Sequence, residues 1–174
     1  RPTWNDLGVD ELYNGFNIVT TDPTRSNSGN MFYGLFLNML NDSQVATTAS
    51  LDQYFDTINS YYQRQGLMQA SSGTLFDNFI VQGMGATPMM ANYESLIVEF
   101  SVANQNQLQA ISDTLRIIYP RPTVWSSHPM IALNDAGRRL MDALSDPEIQ
   151  EMAWEQHGFR SGLIGITNDP AVLD

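Results

Sequence analysis

The sequence predicts an α/β domain with a mixed, largely parallel sheet flanked by helices. Three observations carry that expectation. Four short runs read as strands, and in the first of them, Phe16–Thr20, alternation and β-branched side chains coincide. Between and after them, apolar residues recur at three-to-four-residue spacing, the period of a helix with one buried face. Clusters of turn residues separate the runs, and no unit repeats at a fixed period. Strands alternating with helices imply layers of helix on a sheet. The chain has 174 residues, 43% hydrophobic, 16% charged and 10% aromatic. That is the composition of one globular domain, able to remove roughly 70% of its unfolded surface from water.

In chain order, residues 1–15 read as a connecting arm containing Trp4 and Leu7-Gly8 and ending in Tyr13-Asn14-Gly15. Phe16–Thr20 follows as a strand. Met31, Phe32, Leu35, Phe36, Met39 and Leu40 then mark a helix opening on small polar residues. Ser50-Leu51-Asp52-Gln53 matches a capping box, in which Ser50 accepts from an amide and Gln53 reaches back. Leu51, Tyr54, Phe55, Ile58 and Tyr62 line the face of that second helix until Gly66. Tyr54, Tyr61 and Tyr62 fit packing rather than stacking platforms. A third helix carries Leu75, Phe76, Phe79 and Ile80 up to Gly83.

Met89–Asn92 reads as a short strand. Ser95–Phe100 suits either a buried strand or a packed helix, with propensity leaning to strand. Leu115–Tyr119, stopped by Pro120, and Met130–Leu133 complete the strands. Asn134 caps a helix running through Leu144, and Asp146-Pro147 opens another that Gly158 stops.

Composition also excludes partners. All eight basic residues are Arg, against nineteen Asp plus Glu, for a net charge of −11. Such a field repels nucleic acid and anionic lipid. No cysteine is present, so neither disulfides nor thiolate metal sites form, and an oxidising compartment is compatible. The chain opens on Arg1-Pro2 without a basic-then-apolar leader, as a mature or excised fragment would.

The most informative stretch for chemistry runs from Thr20 to Gly29. A strand ending in hydroxyl and amide side chains and running into a helix start aims backbone N–H groups at the carboxyl edge of a sheet, where open α/β sheets bind ligands. Such a terminus attracts a carboxylate or oxyanion. The plainer reading makes Ser26 or Ser28 an N-cap and Gly29 a turn residue.

Five motif groups occur in order: Asp22-Pro23-Thr24-Arg25-Ser26-Asn27-Ser28-Gly29, Tyr93-Glu94-Ser95, Ile118-Tyr119-Pro120 with Trp125-Ser126-Ser127-His128-Pro129, Pro147-Glu148-Ile149-Gln150, and His157-Gly158-Phe159-Arg160. Together, over about residues 16–161, they resemble the bacterial extracellular solute-binding proteins of the type II periplasmic-binding-protein superfamily. The resemblance implies a two-lobed trap with the solute in the cleft between lobes. This chain would supply a ligand-binding lobe over 16–133, a helical return segment over 134–161 and a tail over 162–174, with a first lobe missing before Arg1. It also implies a helix start at Tyr93-Glu94-Ser95, which turns the ambiguous 95–100 run into helix. The cleft residues it implies are Thr21, Asp22, Ser26, Asn27, Ser28 and Gly29 from one helix start, with Tyr93 and Glu94 from another. Hydroxyls and amides would orient the solute, Tyr93 would present a flat face and a hydroxyl, and Glu94 would accept from the solute or serve its own helix. The partners implied are a small polar solute of undetermined charge and a membrane transporter of ABC type, a sensor or a surface protein, all outside the cytoplasm.

Other features point away from catalysis, metals and cofactors. His128 precedes Pro129 and His157 precedes Gly158, positions where a histidine bonds helix-end carbonyls, and no zinc spacing joins them. Trp125 reads as a partly buried anchor. Asp142, Asp146, Glu148, Glu151 and Glu155 read as a solvated acidic face. No nucleophile elbow, P-loop or dinucleotide fingerprint occurs, since Gly83-Met84-Gly85 lacks a third glycine. Asn41-Asp42-Ser43 has a glycosylation pattern that the bacterial resemblance makes accidental. A hydrolase would need Ser26 or Ser28 with His128 and an Asp, and their spacing does not point there.

Overall fold

The computed structural model describes residues 3–10, 12, 15–83 and 85–169. Among them the architecture is all-α. The helices are α1 (Asn27–Leu40), α2 (Thr48–Gln65), α3 (Ser72–Gln82), α4 (Glu94–Ala103), α5 (Gln105–Ile111), α6 (Asp135–Leu144) and α7 (Pro147–His157), preceded by one 3-10 turn at Asn5–Leu7. The chain divides into two compact units, Arg1–Asn92 with Pro120–Val124, and Tyr93–Tyr119 with Trp125–Asp174.

The expected α/β fold is therefore overturned: no sheet forms among the described residues, and β-pairing is limited to two isolated bridges, Thr3 with Gly15 and Val19 with Met90. The second shows why. Phe16–Thr20 and Met89–Asn92, both expected as strands, do meet in parallel, through Val19 N–H to the Met89 carbonyl at 3.0 Å and Ala91 N–H to the Val19 carbonyl at 2.9 Å. The ladder then stops. On the opposite edge of the 16–20 segment, where another strand would have to pair, the Ile18 carbonyl is taken by the Tyr61 hydroxyl and by Gln65 Nε2 at 3.0 Å, both from α2, and Asp22 N–H goes to the Gln69 carbonyl at 2.9 Å. Leu115–Tyr119 and Met130–Leu133 form no bridge at all. Strand propensity measures fit to a neighbouring pleated surface, and without that neighbour the residues stay extended but unpaired.

In the first unit α1 packs on α2 through aromatic rings. Phe32 and Phe36 lie 5.8 and 4.9 Å from Tyr61, and Tyr33 lies 6.0 Å from Tyr62. The tyrosines pack, as their helical spacing predicts. Leu37, Ile58, Leu75 and Phe76 are buried with them. The cap of α2 lies three residues before the expected one. Thr47 Oγ1 accepts from Ser50 N–H at 3.2 Å and Ser50 Oγ accepts from Thr47 N–H at 3.4 Å, which makes Ser50 the third helical residue rather than the cap. The longer helix gains almost a turn of backbone bonds while keeping a reciprocal cap.

In the second unit α4 packs on α7, and Val98 and Trp154 are its most buried apolar side chains, at 0% and 1% exposure. The helical reading of 95–100 holds. The caps of the last two helices are those the sequence predicts, with Asn134 Oδ1 accepting from Gly137 N–H and Asp146 Oδ1 from Glu148 N–H, each at 2.9 Å. Gly158 ends α7 with φ 67°, and a Cβ there would sit 2.6 Å from the Ser95 Cα. Only glycine allows both the left-handed turn and that approach of α7 to α4. The sequence reading misses α5, whose Gln-rich stretch offers few apolar positions to register a period. Trp125, expected as an anchor, is largely exposed.

Candidate functional site

The eight residues implied as ligand contacts divide between the units, Thr21 to Gly29 in the first and Tyr93 and Glu94 in the second. The first group does converge. Asp22 closes the turn before α1, its Oδ1 accepting from the Thr24 N–H at 2.8 Å and the Thr24 hydroxyl at 2.7 Å. Those two bonds hold its carboxyl below the ordinary range. The Asp22 carbonyl accepts from Arg25 N–H at 3.1 Å and Ser26 N–H at 2.9 Å. Ser26 then occupies the N-cap position in extended conformation, but its hydroxyl caps no amide of the first turn. It pairs instead with Ser28 Oγ at 2.9 Å, and Ser28 Oγ pairs with Thr21 Oγ1 at 2.7 Å.

This chain of three hydroxyls pins the helix start to the preceding segment. Gly29 permits the approach, because a Cβ there would lie 2.4 Å from the Thr21 carbonyl oxygen and 2.8 Å from that of Asp22. Its role is close backbone packing rather than a special turn conformation. The packing has a consequence for access: Thr21, Ser28 and Gly29 are buried, whereas Asp22 and Ser26 are partly exposed and Asn27 is exposed. The helix end carries a partial positive charge and Asp22 a negative one beside it, so the corner suits neutral donors and acceptors better than a bare ion.

Tyr93 and Glu94 serve α4. Tyr93 is its N-cap residue, with no side-chain cap bond. Glu94 is neither solvent-facing nor capping. Arg160 grips it with two parallel bonds, Nε to Oε2 and Nη2 to Oε1, both 2.7 Å, and the Tyr119 hydroxyl donates to Oε1. The Arg160 guanidinium lies 4.5 Å over the Trp154 ring. Burial pushes the Glu94 carboxyl up, but the bonds from Arg160 and Tyr119 outweigh it and hold the group below its usual range. Burial and the same bond push the Tyr119 hydroxyl up to about 12. Both oxygens of Glu94 are thus engaged by its own unit.

Arg160, Tyr119 and Trp154 complete the cluster around Glu94, and site-by-site reasoning misses them. A signal existed: Tyr93-Glu94-Ser95, Ile118-Tyr119-Pro120 and His157-Gly158-Phe159-Arg160 are three of the segments that carry the resemblance, and the second unit draws them together. The histidines take other roles than expected. His157 Nδ1 lies 3.2 Å from Glu99 Oε1, and the His128 ring packs edge-on to Phe159 at 5.7 Å. Ser26 and Ser28 bond each other and Thr21, not a histidine.

Among the described residues a hollow lies in each unit. One of about 200 Å³ lies in the first unit between residues 19–20, the loop at 65–69 and α3. The other, about 410 Å³ and shallow, runs along residues 102–107 of the second. None of the eight implied contacts lines either. Among the described residues no three His, Asp or Glu side chains gather as a metal would require, and no helix is long and apolar enough to cross a membrane. Compared with models of known families, with curated proteins and with solved structures, the chain matches none.

Proposed function

We propose that this chain is part of a non-enzymatic, extracytoplasmic solute-binding protein and contributes half of a cleft for a small polar solute, feeding an ABC-type transporter or a sensor. The resemblance of the ordered motifs to bacterial solute-binding proteins supports the reading. The observation that carries it is the start of α1, where Asp22, Ser26 and Asn27 stand at a helix end that the Ser26 hydroxyl does not cap. Hydroxyl, carboxamide and carboxylate there offer both donors and acceptors to an uncharged or zwitterionic solute.

Such a protein works by population shift. A solute drives closure only by as much as it binds the closed state better, so it must touch both halves. One half alone then binds weakly. Calorimetric titration of this chain with amino acids, sugars and polyamines is expected to give millimolar dissociation constants at best, about 4 kcal/mol. A micromolar complex with the chain alone refutes the half-site, as does a millimolar one that survives Asp22→Ala and Ser26→Ala unchanged.

A protein-interaction module of a larger surface protein is the second reading. Exposed apolar side chains in the second unit favour it, among them Ile131, Leu133 and Ile164. Deleting residues 162–174 separates the two: loss of partner association with solute binding intact favours the module.

A further inference from the structure

The run Leu115–Tyr119 in the second unit reads as a strand and has no strand beside it. Its two edges differ, because the main-chain groups of alternate residues in an extended run point to opposite sides. On the edge of Leu115, Ile117 and Tyr119, groups are already engaged. Leu115 N–H donates to the Ile111 carbonyl at 2.8 Å, and the Leu115 carbonyl accepts from Arg116 Nη1 at 2.7 Å. On the other edge, the N–H and carbonyl groups of Arg116 and Ile118 make no hydrogen bond among the described residues. Both residues are exposed, Ile118 at 72%. An open edge of this kind is a template for another chain. What covers it must supply main-chain donors and acceptors as well as apolar contact. A helix has its main chain already paired and a lipid tail has none, so the occupant is an extended segment.

We propose that a second copy of this chain supplies it, pairing as an antiparallel strand in a two-fold register centred on Ile117. Arg116 N–H then donates to the Ile118 carbonyl of the second copy and Ile118 N–H to its Arg116 carbonyl, and the two-fold axis repeats both bonds. Ile117 meets Ile117 as the closely spaced, non-hydrogen-bonded pair. Leu115 lies across from Tyr119, and Ile118 across from the aliphatic stem of Arg116, whose guanidinium is held by the Ser112 and Leu115 carbonyls of its own copy. The ladder ends itself one pair further out. Thr114 N–H is bonded to the Ile111 carbonyl at 3.0 Å, and Pro120 across from it has no N–H. Charge complementarity sets the direction: along the sequence the antiparallel register aligns Asp113 of one copy with Arg121 of the other at each end, whereas in-register parallel pairing would oppose Arg116 to Arg116. A run this short buries only on the order of 500 Å² in total, below the roughly 1,200 Å² at which stable interfaces begin, so the dimer is weak and concentration-dependent. The pairing does not depend on the solute-binding reading above.

Analytical ultracentrifugation of the 174-residue chain from about 10 μM to about 1 mM tests it, in about 0.3 M salt to screen the like net charges. A monomer–dimer equilibrium with a dissociation constant of about 0.1–0.5 mM is expected. Ile118→Pro removes an N–H on the pairing edge that bonds nothing within the chain, and is expected to weaken the dimer at least about ten-fold. Ile164→Ser, at a fully exposed apolar side chain outside the run, is expected to leave it unchanged. Amide exchange by NMR gives a second readout on the unmodified chain: at about 1 mM the Arg116 and Ile118 amides are expected to gain protection while that of Ile117 does not. A chain still monomeric at about 1 mM overturns the proposal. So does a dimer that survives Ile118→Pro, one that Ile164→Ser disrupts as strongly, or one without that alternation in protection.

Discussion

Replacing Glu94 by Gln removes one charge from the grip that ties α4 to the segment after α7, and its cost follows from the geometry. Exposed ion pairs contribute about 0.2–1 kcal/mol, whereas removing one partner of a buried pair costs about 3–5 kcal/mol. This pair lies between those limits, with side-chain exposures of 17% for Glu94 and 29% for Arg160, and it is bidentate. A loss of about 2 kcal/mol is the consequence, or about 4–8 °C in Tm for a chain of this size. Arg160→Leu loses the cation–π contact with Trp154 as well and is expected to cost about 0.5–1 kcal/mol more.

Urea unfolding of both single variants and the double variant gives the coupling, expected near 1–2 kcal/mol, roughly. The pH dependence supplies an independent check. The folded-state pKa of Glu94 is lowered from 4.5, so its contribution is present above 4.5 and is lost as the pH falls through the lowered value. Glu94→Gln is therefore expected to flatten the acid limb of the stability profile below pH 4.5. A coupling under about 0.3 kcal/mol together with an unchanged acid limb would show that the pair is incidental.

Three further substitutions probe the first unit and the α7 stop. The Tyr62 hydroxyl is buried without a hydrogen-bond partner among the described residues, so Tyr62→Phe is expected to raise stability by up to about 1 kcal/mol in denaturant unfolding; a clear loss would reveal a partner for that oxygen. Gly29→Ala drives a methyl into the Thr21 and Asp22 carbonyls and is expected to lower stability by about 2 kcal/mol or more, read as a drop in Tm; a neutral result contradicts the tight docking of α1. Gly158→Ala combines a positive φ with a clash against Ser95 and is expected to cost more than the roughly 1–2 kcal/mol of the left-handed conformation alone, measured by the same unfolding curves.

Much of the local structure was legible because local chemistry decides it. Asn134, Asp146-Pro147 and Gly158 set helix ends through bonds that reach two or three residues, and the apolar spacing of Met31 to Leu40 and of Leu75 to Ile80 needs no knowledge of what the helix packs against. Thr47 against Ser50 shows the limit, since two overlapping boxes compete and the length of helix each permits decides. The candidate site was legible only in part. The spacing from Thr21 to Gly29 announces a helix start, but whether Ser26 caps an amide or joins a hydroxyl chain depends on how the turn at 22–25 folds Thr21 back onto Ser28. The bonds of Glu94 were not legible because its partners, Tyr119 and Arg160, lie 25 and 66 residues away.

What the sequence determined by itself, then, is where α2 and α3 stop and where α6 and α7 begin and end, the absence of disulfides and the strongly acidic composition, all of them properties of neighbours along the chain or of composition. Tertiary structure alone decided whether the β-prone runs become a sheet, which donors each carboxylate and hydroxyl finds, and that Thr20 lines a hollow. A strand is completed by a second segment and a side chain's partner is chosen by packing. Val19 meets Met90 in a single bridge, and on the opposite edge of that segment, where a further strand would have to pair, α2 takes the Ile18 carbonyl.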